Sequence, residues 1–133
     1  MIVVFGIFII LHGLVHIFYM GQSLKLFELK PAMIWPDESW AFSRILSNAT
    51  LRLFASITLG LSTLGFVVGG ISLMFKQAWS QPLLIVAGGL STFIFLVMWN
   101  GKRDSAVNQG GLGMLINLAI LSAVRIFARF FFV

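Results

Sequence analysis

Four stretches of this chain, residues 2–19, 51–75, 82–99 and 112–133, are nearly unbroken runs of apolar side chains. That grouping restricts the possible folds more than any motif does. Each run holds roughly the 20 residues that a helix needs to cross a hydrocarbon core at about 1.5 Å rise per residue. In lipid only helices and closed barrels satisfy their backbone hydrogen bonds, and a barrel needs short alternating segments instead of continuous runs. Composition agrees, with 59% hydrophobic and 10% charged residues, where soluble domains carry about 25% charge. The sequence therefore predicts an all-α fold: an integral membrane four-helix bundle in which residues 1–133 form one transmembrane domain.

The first run has no basic segment before it and no small-x-small cleavage site after it, so it reads as a retained span and not as a signal peptide. The absence of cysteine excludes disulfides, thiolate catalysis and Cys-ligated metal centres. The net charge of +5 is scattered, with no basic run able to hold a nucleic-acid backbone, so the partners expected are the lipid bilayer and other membrane subunits or a second copy. With four spans, Lys25, Lys30, Arg44, Arg52, Lys102 and Arg103 share one side, opposite Lys76, Arg125, Arg129 and the amino terminus. The positive-inside rule then places both termini outside the cytoplasm of a multi-pass protein of the cell inner membrane.

Between the first two spans lies SLKLFELKPAMIWPDESWAFSRILSNAT, which mixes apolar and charged residues. It predicts one or more interfacial helical segments: the leucines and Phe27 toward acyl chains, Lys25, Glu28 and Lys30 in water, and Trp35 and Trp40 at headgroup depth. Pro36-Asp37-Glu38-Ser39 reads as a start for a second short helix, and Asn48-Ala49-Thr50 as a cap before Leu51. Within the second span Thr58, Ser62, Gly65, Gly69 and Ser72 recur at steps of four and three, forming one face of small residues. Such a face lets another helix approach at backbone distance, inside the bundle or across a dimer seam. After Trp99, NGKRDSAVNQGGLG reads as a solvated turn whose Lys102 and Arg103, with Arg129 at the far end of the last span, are candidates for lipid headgroups.

The remaining chemistry lies in the buried polar groups. His12, His16 and Tyr19, at steps of four and three, share one face of the first helix. From Ile2, His12 is about 15 Å and His16 about 21 Å deep; from Val133, Arg125 is about 12 Å and Asn117 about 24 Å deep. Depth alone thus pairs His12 with Arg125 and His16 with Asn117. Ionisable residues at such depth face the bundle interior and carry partners. Three roles are open to the imidazoles: interhelical hydrogen bonding, a path for a proton or small anion, and ligation of haem or another tetrapyrrole through His12 or His16. No carboxylate in the spans completes a metal set or a nucleophile–base arrangement, so the metal remains unknown, no cofactor is specified, and no catalytic residue is named.

LHGLVHIFY in the first span, together with WNGKRD and GMLINLAIL ahead of the last, resembles a group of small bacterial four-span membrane proteins with an HGxxH first helix. The resemblance covers the spans in outline and skips the long connection. It implies a bundle and a bacterial membrane setting, and it carries no catalytic assignment. The function expected is a structural or accessory membrane protein, in a larger assembly or a homo-oligomer. A small transporter or a tetrapyrrole-binding subunit is the alternative.

Overall fold

The computed structural model describes residues 1–131, with backbone alone for 128–131. Four helices, α1 (Ile2–Ser23), α2 (Asn48–Met74), α3 (Ser80–Met98) and α4 (Leu112–Phe131), make up the fold, and no strand occurs among the described residues. All four are long and apolar enough to cross a membrane. They alternate in direction. Gly13 of α1 lies on Phe66 of α2, and Ser23 of α1 donates to the Arg52 carbonyl of α2 (2.8 Å). Gly65 and Gly69 of α2 face Ala87 and Leu84 of α3, and Gly88 of α3 faces Leu121 of α4. Phe5 and Phe127 (ring centroids 5.1 Å apart) bring α4 back to α1 and close the ring of helices.

The tightest of these contacts needs glycine. A Cβ on Gly70 would stand 2.9 Å from the Gly6 carbonyl oxygen, and one on Gly6 would stand 2.9 Å from that of Gly70, so α1 and α2 meet backbone to backbone. Small residues allow this approach, which multiplies dispersion contacts along the seam. Thr58, Ser62, Gly65, Gly69 and Ser72 are all buried, with the glycines of that stripe covered by α3. Ahead of α4 the chain makes a wide turn over Val107–Gly111, where Gly110 takes φ +100° and the Phe95 ring occupies the space of its missing Cβ.

The connection 24–47 corrects the sequence reading, because it contains no helix. Lys25, Ala32 and Glu38 adopt positive φ (58°, 60° and 60°), which a right-handed helix cannot pass through, so neither LKLFELK nor PDES forms one. The segment folds instead as a plug over the end of the bundle. Gln22, buried at the end of α1, donates to the Met33 and Trp35 carbonyls (3.0 and 3.3 Å) and accepts from the Leu29 amide (2.8 Å). Ser39 Oγ donates to the Val97 carbonyl (2.5 Å), while the Trp40 indole and amide donate to Leu96 and Trp99 (both 2.8 Å). Carbonyls at the C-terminal end of α3 that lack intrahelical donors are thereby satisfied. Trp35, read from sequence as a headgroup anchor, is 1% exposed and packs with Leu51, Ile94 and Met98. Helix α2 starts at Asn48, three residues ahead of the expected Leu51. Its cap is Ser47, whose Oγ accepts from the Thr50 amide at 3.2 Å.

Candidate functional site

Helix α1 turns one seam inward, Gly6, Ile9, His12, Gly13 and His16, following the steps of three and four that stack side chains on one face. The seam brings His12 and His16 between two apolar clusters, one around Ile9, Phe66, Leu84 and Ile120 and one around Trp35, Leu59, Ile94 and Phe95. The imidazoles lie edge to face, centroids 5.0 Å apart, and both contact the Phe66 ring, at 5.1 and 5.3 Å. His16 also contacts Phe95 at 5.7 Å.

Four side chains from three helices form a closed circuit here. His12 Nε2 is 2.7 Å from Asn117 Oδ1, Asn117 Nδ2 is 2.8 Å from Ser91 Oγ, Ser91 Oγ is 2.5 Å from His16 Nε2, and His16 Nδ1 is 3.0 Å from the His12 carbonyl. Asn117 Nδ2 reaches Thr92 Oγ1 as well, at 3.2 Å. The direction of every bond follows from its one fixed member. A carbonyl only accepts, so His16 Nδ1 carries hydrogen. In a neutral ring Nε2 is then the acceptor, and the Ser91 hydroxyl donates to it. Ser91 is left to accept from the Asn117 amide, which turns Asn117 Oδ1 toward His12 and puts the second ring hydrogen on His12 Nε2. The four acids of the chain, at 28, 37, 38 and 104, all lie outside α1–α4, so no carboxylate is at hand to stabilise an imidazolium.

The circuit corrects the depth matching. His12, not His16, meets Asn117, and Arg125 meets neither. Equal depths required α1 and α4 to end level, whereas the Phe5–Phe127 contact offsets α4 by about three residues (about 4.5 Å) and the His12–Asn117 bond by about six (about 9 Å). Arg125 is exposed because the inward face of α4 is Asn117, Ile120 and Val124; eight residues beyond Asn117, Arg125 is turned about 80° away. It borders a recess of about 220 Å³ with Ile85, Leu118, Leu121 and Ser122. Tyr19 is joined to the histidines only through aromatic contacts, meeting Phe95 (4.8 Å) and Trp35 (5.5 Å) edge to face with its hydroxyl donating to the Asn108 carbonyl at 2.9 Å. Lys102 and Arg103 are exposed on the connection between α3 and α4, and the Arg129 side chain lies outside the described residues.

Sequence reasoning did not single out Ser91 and Thr92, the two members of the circuit on α3. Their signal was the step of four that places Ser91 one turn beyond Ala87 on the buried face of α3. It also missed the Asp37–Arg52 pair, a two-pronged contact from guanidinium to carboxylate that ties the plug to α2.

Both nitrogens of His16 and Nε2 of His12 are committed to hydrogen bonds, so a metal or haem iron at any of these three would displace a bond already made, which leaves Nδ1 of His12 outside the circuit. No group of three or more potential metal ligands occurs among the described residues. An amide also interrupts a proton relay, since passing a proton through Asn117 requires its imidic acid form. The arrangement is suited to holding α1, α3 and α4 in register. No protein family, characterised protein or solved structure matches this chain.

Proposed function

We propose that this chain is a multi-pass integral protein of a bacterial inner membrane, acting as a structural or accessory subunit of a larger assembly or of a homo-oligomer. The observation that carries the reading is the closure of the polar circuit on itself. Its side chains satisfy one another and leave few groups for a passing substrate. What faces outward is apolar. Val4, Phe8, Leu11 and Phe18 project from α1, of whose apolar window 28% is buried, against 56% for α2. A span that keeps so much apolar surface outside its own bundle suits lipid or a neighbouring helix.

The test is crosslinking in native membranes, followed by sizing of the gently solubilised protein. A species heavier than one 14.7 kDa chain, with crosslinks from α1, is the expected result. A monomer with no crosslinked partner overturns the reading. Proton or anion flux into liposomes that disappears in His12→Ala and His16→Ala would replace it with a transport function.

A further inference from the structure

Two cavities lie near the end of the α1–α2 seam that the plug covers. The outer one, about 320 Å³, is walled by Lys25, Glu28, Asp37 and Arg52 with Gln22 and Trp35, a volume within the range of small-ligand sites. The inner one is an apolar groove of about 360 Å³ between Ile17 and Met20 of α1 and Ile57, Gly60 and Leu64 of α2. Arg52 lines the first and Ser56 the second, one helical turn apart on the same face, and Ser56 Oγ donates to the Arg52 carbonyl at 2.7 Å. The groove is open because Gly60 offers no side chain: only Met20 Sδ, at 3.7 Å, is near the place of its Cβ.

We infer that this seam binds one zwitterionic phospholipid with a primary ammonium headgroup, its phosphate and ammonium in the outer cavity and an acyl chain along the groove. Charge carries the choice of headgroup. The cavity places two cations and two carboxylates together, so a net anion or cation would unbalance it while a zwitterion matches it. Among the described residues Lys25 Nζ has no ion-pair or hydrogen-bond partner, and Arg52 spends only Nε and one Nη on Asp37, leaving guanidinium donors for a phosphate. Glu28 gives Oε2 to the Ala32 amide (3.1 Å), and its other oxygen is the natural acceptor for an ammonium. An apolar groove one helical turn further along α2 favours a lipid over a soluble phosphate–ammonium compound. The plug around the cavity exposes Leu26, Phe27 and Ile34, side chains that sit at the boundary of headgroups and acyl chains.

The site rests on the membrane reading above, and one experiment separates their failures. The full chain is reconstituted into vesicles of equal parts phosphatidylethanolamine, phosphatidylcholine and phosphatidylglycerol, checked for alkali-resistant insertion, then extracted gently and weighed intact by mass spectrometry. The expected result is one retained phosphatidylethanolamine per chain, at least fivefold over either other lipid. Retention falls at least threefold in Lys25→Ala, in Glu28→Gln, which keeps the Ala32 bond, and in Gly60→Leu, which fills the groove. Insertion with equal retention of the three lipids, or with retention unchanged in those variants, overturns the site alone. Failure to insert overturns the membrane reading and the site with it. Displacement of the lipid by millimolar phosphoethanolamine, equally in wild type and Gly60→Leu, overturns the lipid assignment in favour of a soluble ligand.

Discussion

Replacing Asn117 with alanine removes three hydrogen bonds at once, to His12, Ser91 and Thr92. Interhelical side-chain hydrogen bonds between membrane helices average about 0.6 kcal/mol each, so the direct loss is about 2 kcal/mol. The His12 ring hydrogen is then buried with no acceptor, which costs about 1–3 kcal/mol where nothing relaxes to meet it. The total expected for Asn117→Ala is about 3–5 kcal/mol. Unfolding in mixed micelles by increasing fractions of denaturing detergent reads this directly, with Leu118→Ala, an exposed neighbour, as a control that changes little. A double-mutant cycle with His12→Ala isolates the shared bond, for which a coupling of about 0.6–1.7 kcal/mol is expected. An Asn117→Ala protein within about 0.5 kcal/mol of wild type, or a coupling indistinguishable from zero, would refute the view that the circuit locks the helices.

Backbone contact between α1 and α2 predicts that Gly70→Ile, whose side chain meets Ile10 and the Gly6 carbonyl, lowers stability by more than about 2 kcal/mol in the same assay, while Gly89→Ile, with open space around it, does not. Gly110→Ala combines φ +100° with a clash against the Phe95 ring and should lower the melting temperature by about 5–10 °C; Gly113→Ala, at 3.6 Å from the same ring, should leave it unchanged. Ser39→Ala leaves the Val97 carbonyl and the Phe42 amide without that hydroxyl, a loss of about 1 kcal/mol that loosens the plug and should speed tryptic cleavage at Lys25 or Arg44 by about fivefold. An unchanged cleavage rate would mean that other contacts hold the plug.

What the sequence made legible was whatever periodicity and length control. The four apolar runs became α1 to α4 within a few residues, and the steps of four and three placed His12 and His16 on one buried face. Pairing between helices was not legible, because it depends on the relative shift of two rods, and nothing local to α1 or α4 records that shift. The orientation of Arg125 was calculable from its eight-residue separation from Asn117, yet depth was used where angle decides. In the plug, amphipathic spacing pointed to helices, and the outcome was set by tertiary bonds from Gln22, Ser39 and Trp40 that reward a folded-back chain more than a regular one. The Asp37–Arg52 pair likewise joins residues whose closeness arises only once Trp35 has entered the core.

The most direct test of the central claim is a nitrogen-15 NMR spectrum of the histidine-labelled protein in lipid bilayers at pH 7. The account predicts two neutral imidazoles of opposite tautomer, His16 with hydrogen on Nδ1 and His12 with hydrogen on Nε2, assigned by loss of each signal in His12→Phe and His16→Phe. An imidazolium, two rings of the same tautomer, or shifts marking a metal-bound nitrogen would contradict it. The circuit would then be a titrating path or a ligand site and not a lock.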